Sequence, residues 1–173
     1  MSAQVRLGPI AGVNFANLNG DDDSHNAMKL GFHLGGLASI HITNNLLFEP
    51  QVLFSMKGSQ DSDDSKIKTN LNYIDVPFLI KYRFNNGINL FAGPDFALLL
   101  SAKVDNGNET IDIKDNVKSI DFGFNFGAGY EFENGLGFSL KYNMGLANVS
   151  DLKNYEIMNT VIGVSAYLLL GGN

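Results

Sequence analysis

The sequence predicts an all-β protein: an eight-stranded antiparallel up-and-down transmembrane β-barrel, apolar outside and polar inside. Three observations carry that expectation. Apolar and polar residues alternate with a period of two almost from end to end, as in strands with two unlike faces, and helical periodicity is nearly absent. The interruptions alternate between tight Asn- or Gly-containing turns and long polar segments. Sorted by parity, one half of the strand residues is bulky and uncharged, whereas the other half holds the charges, interleaved with glycine.

The first strand is predicted at Val5 to Leu18, where Val13 and Phe15 alternate with Gly12 and Asn14. The second, Met28 to Ile42, sets Leu30, Phe32 and Leu34 against Lys29, His33 and His41. In the third, Leu46 to Gly58, Phe48, Val52 and Phe54 oppose Glu49, Gln51 and Lys57. The fourth, Leu71 to Phe84, places Ile74, Val76, Phe78, Ile80 and Tyr82 opposite Asp75, Lys81 and Arg83. Leu90, Phe96 and Leu98 face away from Asp95 and Lys103 in the fifth, Ile88 to Val104. The sixth, Ser119 to Phe132, divides Phe122, Phe124, Phe126 and Tyr130 from Asp121, Asn125 and Glu131. The seventh, Leu136 to Ala147, divides Phe138, Leu140 and Tyr142 from Lys141 and Asn143. The eighth, Met158 to Leu170, carries Ile162, Val164 and Leu168 around Gly163. Each exceeds the roughly 9 to 11 residues that a tilted strand needs to cross a bilayer.

Three connections are tight: Thr43-Asn44-Asn45, Asn85-Asn86-Gly87 and Glu133-Asn134-Gly135. Asn-Gly supplies the positive φ that hairpin turns require. Four are long and polar: Asn19 to Ala27, Ser59 to Asn70, Asp105 to Lys118 and Asn148 to Ile157. An up-and-down barrel then gathers the short turns and both termini at one end and the long loops at the other, as in bacterial barrels with periplasmic turns and external loops.

Volume decides which face is inside. An eight-stranded barrel has an interior only just wide enough for side chains to fill. The phenylalanine-rich half of these strands is too bulky for it, whereas glycines and paired charges fit, so the aromatics are expected to meet lipid. Phe48, Tyr82, Phe84, Tyr130 and Phe132, close to the short turns, are placed for an interfacial girdle. The alternative is a soluble lipocalin-like barrel that binds a hydrophobic small molecule and turns the apolar half inward.

Composition narrows the function classes. The 173 residues fit one domain spanning residues 1–173. Without cysteine there are no disulfides or thiolate metal sites. A net charge of -6 without a basic patch argues against nucleic acid as a partner. No run approaches the roughly 18 apolar residues of a transmembrane helix, a test that is blind to β-barrels because their lipid-facing and lumen-facing residues alternate. Met1 reads as a start placed on a mature chain whose export signal has been removed. The expected location is the bacterial outer membrane.

The segment Tyr73-Ile74-Asp75-Val76-Pro77-Phe78-Leu79-Ile80-Lys81-Tyr82 resembles the hallmark fourth strand of PorT-like outer-membrane β-barrel proteins. Gly12-Val13-Asn14-Phe15 is similar to that family's first strand, and Leu46-Leu47-Phe48-Glu49-Pro50-Gln51-Val52-Leu53-Phe54-Ser55 to its third. The resemblance implies fold and location, because most members have no assigned activity. One departure is the end, Leu168-Leu169-Leu170-Gly171-Gly172-Asn173, which lacks a terminal aromatic.

The candidate site is a lumen charge network of Glu49, Asp75, Lys81, Arg83, Asp95, Asp121, Glu131 and Lys141, with Lys29, Lys57 and Lys103 on the same face. These charges are expected to pair, because one buried alone costs several kcal/mol. A gated proton or ion path through them is the competing use. His33 and His41 share a face but lie roughly 26 Å apart along their strand at about 3.3 Å per residue, so they make no metal site. The acidic clusters Asp21-Asp22-Asp23 beside His25, and Asp61, Asp63 and Asp64, suit a Ca²⁺ site or, more simply, a solvated loop. Ser101, Ser119 and Ser139 fall on different strands without a catalytic motif. The expectation is therefore a non-enzymatic, monomeric structural or interaction barrel without cofactor. Its partners are outer-membrane lipid and a surface or periplasmic protein held by the loops.

Overall fold

The computed structural model describes residues 4–20, 26–61, 66–147 and 157–171. Among these residues ten strands run in chain order: β1 (Val5–Gly20), β2 (Asn26–Ala27), β3 (Lys29–His41), β4 (Leu46–Asp61), β5 (Lys68–Arg83), β6 (Ile88–Asp105), β7 (Thr110–Asp112), β8 (Ile120–Glu131), β9 (Leu136–Gly145) and β10 (Ile157–Leu168). Eight of them are long, and each pairs antiparallel with the next, β3 with β4 through to β9 with β10. β1 pairs with β3 on one side and with β10 on the other, from Ile10 opposite Tyr167 to Gly20 opposite Ile157. That last ladder closes the sheet into a barrel, leaving no edge among the eight.

The tight turns form where Asn and Gly place them. Gly87 and Gly135 adopt φ of 93° and 89°, and Asn86 and Asn134 each accept a hydrogen bond from the backbone N–H two residues on. At the opposite end the β4–β5 ladder continues past Gly58 and Leu71 to Gln60 opposite Lys68. A backbone ladder needs no apolar side chains, so polar residues expected in a loop extend both strands.

Parity follows the expected division with one break. In β6, Leu99 lies opposite Tyr73 and Ser101 opposite Asn72, so Leu100 is an extra residue, a β-bulge. One added residue exchanges the faces beyond it. Ala102 therefore points inward and is fully buried, and Lys103, expected in the lumen, is exposed on the outside.

The interior is layered. Ile10, Leu37, Leu53, Tyr167 and Leu169 form one buried apolar cluster towards the turn end. Leu18, Leu71, Tyr73, Ala97, Leu99 and Ala102 form a second towards the loop end. Apart from Ala102 beyond the bulge, these residues share the parity of the charges, but their apolar type looks lipid-facing, so an interior of glycine and charge alone was expected. β7 folds back onto β6, the Ile113 N–H donates to the Ala102 carbonyl at 2.9 Å, and a 3₁₀ turn follows at Lys114–Asn116. Ile113 and Val117 thereby pack over the loop-end cluster.

The outside is the converse. Phe32, Phe96, Phe126, Phe138 and Leu140 are each about half exposed, and no residue of the bulky half is buried among those described. Rings from neighbouring strands touch in a row, Phe48 to Phe78 at 6.4 Å, Phe78 to Phe96 at 6.0 Å and Phe96 to Phe122 at 5.1 Å. A second group, Tyr82 with Phe84 and Tyr130 with Phe132 and Phe138, lies nearer the turns. A lipocalin-like arrangement needs the reverse, with apolar side chains around a central cavity.

Candidate functional site

Every lumen charge projects inward from a strand whose opposite face meets the outside, so strand parity alone aims the network. Glu49 on β4 and Lys81 on β5 form an ion pair of 2.5 Å with both side chains almost wholly buried. Lys81 Nζ also donates to the Tyr167 hydroxyl at 3.4 Å and lies 4.7 Å from that ring's centre. Gln51 donates to the other Glu49 oxygen at 3.0 Å, so both carboxylate oxygens have partners. Several strand positions nearer the loop end, Lys57 meets Asp75 at 2.9 Å beneath the Tyr73 ring.

Among the described residues Asp95 and Asp121 are held by amides rather than by direct ion pairs. Asn143 donates to Asp95 at 2.7 Å and to Asn125 at 2.7 Å, and Asn159 donates to Asp121 at 2.7 Å. Lys57 is close enough to attract both aspartates as well as Asp75, so it serves three carboxylates. Lys141, buried, has no direct ion-pair or hydrogen-bond partner among the described residues and feels Asp95 and Asp75 at longer range. Lys29 is buried and reaches the Lys57 carbonyl at 3.5 Å.

At the turn end, Arg6 and Arg83 each donate to the same Glu131 oxygen at 2.9 Å. The other oxygen accepts from the Tyr167 hydroxyl at 3.4 Å. Around them opens a mouth of about 1170 Å³, lined by residues that include Gln4, His41, Asn45, Asn86 and Asn134. His41 bonds the Gln4 carbonyl there, far from His33 in the middle of the lumen. Among the described residues no cluster of three His, Asp or Glu side chains is arranged to hold a metal ion. His25 and the acidic residues 21–23 and 63–64 lie outside the described residues.

Sequence reasoning missed one row. Ser165 Oγ lies 2.7 Å from His33 Nε2, and His33 Nδ1 lies 2.7 Å from Asn14 Oδ1, with Asn14 donating to Ser55 at 3.0 Å. The three residues come from β10, β3 and β1, and only pairing across the barrel closure brings them together. Gly12 and Gly163 mark the space, since a Cβ on Gly12 would come within 2.7 Å of the His33 ring. The order hydroxyl, imidazole, amide is that of a nucleophilic triad. Its surroundings are not: all three are buried, and the interior cavity that Ser165 lines is about 10 Å³, too small for any acyl substrate.

The sequence matches the profile of the outer membrane protein β-barrel domain over residues 2–151. No curated protein matches it. Among solved structures, Neisserial surface protein A is 15% identical with a TM-score of 0.63, over 94% of this chain and 96% of that one. The attachment invasion locus protein Ail of Yersinia pestis is 14% identical with a TM-score of 0.53, over 95% and 99%. A de novo designed transmembrane β-barrel is 10% identical with a TM-score of 0.50, over 98% of each chain. At these identities the likeness establishes the fold.

Proposed function

The chain belongs to the outer membrane protein β-barrel domain family, and we propose that within it this barrel is a closed, monomeric, non-catalytic anchor that presents its external loops to a protein partner. We place it, by its fourth-strand segment Tyr73 to Tyr82, in the PorT-like group. The observation that carries the reading is the filled lumen. Between the turn-end mouth and the loop end, Glu49, Asp75, Lys81, Asp95, Asp121 and Glu131 are held by partners, Lys141 is buried among them, and two apolar layers fill the rest. An interior cavity lined by Glu49, Lys81, Lys141 and Tyr167 holds only about 10 Å³. A wall that carries nothing through leaves the loops as the working surface, and loops on a rigid scaffold are where binding residues concentrate.

Conductance and cross-linking test the two halves of this reading. In planar bilayers the protein gives no stepwise ion current, and a steady channel current would contradict the closed lumen. A photo-activated side chain at Ile111, exposed on β7, captures a protein adduct in cells, whereas one at Asn86 on a short turn does not. Adducts at Asn86 alone, or at neither position, would overturn the loop assignment.

A further inference from the structure

The titratable groups of the lumen form a nearly continuous series. From the turn end, Glu131 accepts from the Tyr167 hydroxyl, that oxygen accepts from Lys81, and Lys81 pairs with Glu49. Next comes the interior cavity, lined by Glu49, Gln51, Lys81, Ser139, Lys141 and Ser165 among others. Its volume of about 10 Å³ is at the lower limit of roughly 10–15 Å³ for one water, and the lining supplies the two to four polar partners such a water needs. Lys141 is 8% exposed and otherwise lacks a direct partner among the described residues. A buried ammonium left without a hydrogen bond is costly. Beyond it stand Asp95, Asp75, Lys57 and Asp121. Towards the loops the series ends at Lys29, which reaches the Lys57 carbonyl at 3.5 Å, and Leu18, Leu71 and Leu99 form the apolar layer at that end, covered by Ile113 and Val117.

We propose that this series is a latent proton path. A water held at Lys141 joins the Glu49–Lys81 pair to the Lys57 group, and the apolar layer under Ile113 and Val117 is the seal that keeps the path from conducting. Chains of ionisable residues inside membrane proteins mark such relays. Each group hands one proton onward as it takes another from the turn side, so no residue is changed after a transit. The charge moved is balanced by another ion crossing elsewhere. The inference is independent of what the loops bind, because it concerns only the wall and its cap.

Refolding the whole chain into liposomes with a trapped pH dye, with potassium and valinomycin for charge balance, tests it. After an external acid pulse the native protein acidifies the interior no faster than protein-free vesicles do. The Ile113→Asn/Val117→Asn variant, confirmed as folded by its gel mobility, acidifies it several-fold faster, and adding Lys141→Met restores the native rate. A leaky native protein, a folded seal variant as tight as the native one, or a leak that survives Lys141→Met would each overturn the proposal. Should the seal variant not fold, magnetisation transfer between a resident water and the Lys141 ammonium in the native protein decides; no transfer would refute the junction.

Discussion

At the residue scale the Glu49–Lys81 pair shows what burial demands. Taking two charges from water is repaid only when each keeps its partner. Lys81→Met alone leaves Glu49 unpaired, and the expected loss is about 3–5 kcal/mol of unfolding free energy in urea titrations of the micelle-bound protein. Adding Glu49→Leu to that variant recovers most of the loss, which a double-mutant cycle reads directly. The His33 row rests on absent atoms rather than on charge. Gly12→Val drives methyl groups into the His33 ring, so the folded gel band of that variant disappears at a lower temperature than the native one.

At the element scale, period-two alternation placed all eight long strands, because a half-lipid, half-lumen strand writes its two faces into the sequence. Ile74, Val76 and Phe78 against Asp75 make β5 readable without any structure. Lys103 was misplaced because a bulge is a pairing event: Leu100 looks like an ordinary strand residue until β5 lies beside it. The Ser165–His33–Asn14 row was illegible for the same reason, since it exists only after β10 closes on β1. The apolar layers were hidden by Leu53 and Leu71, which look lipid-facing by type and are lumen-facing by parity. The bulge yields its own test. Lys103→Ala shifts stability by no more than about 0.5 kcal/mol, as exposed substitutions do, whereas Lys57→Ala strips Asp75 of its ion pair and costs several times more in the same titration.

For the whole molecule, the closed ladder and the half-exposed phenylalanines are one statement, that hydrocarbon is the solvent of the outer face. Phe126→Arg on that face costs about 2–4 kcal/mol if the residue lies near the bilayer midplane, the range for basic residues there, measured as the change in unfolding free energy. Lys81→Met with Arg83→Leu lowers stability without opening a conductance, because Ile113 and Val117 still cover the loop end and the apolar layers remain. The most direct measurement is a map of nuclear Overhauser contacts to lipid acyl chains, recorded on the protein in nanodiscs. Phe126, Leu140 and Val164 are expected to contact acyl methylenes, and Leu53 and Leu79 to contact none. Acyl contacts at Leu53 and Leu79, with none at Phe126, Leu140 and Val164, would turn the barrel inside out and contradict the account.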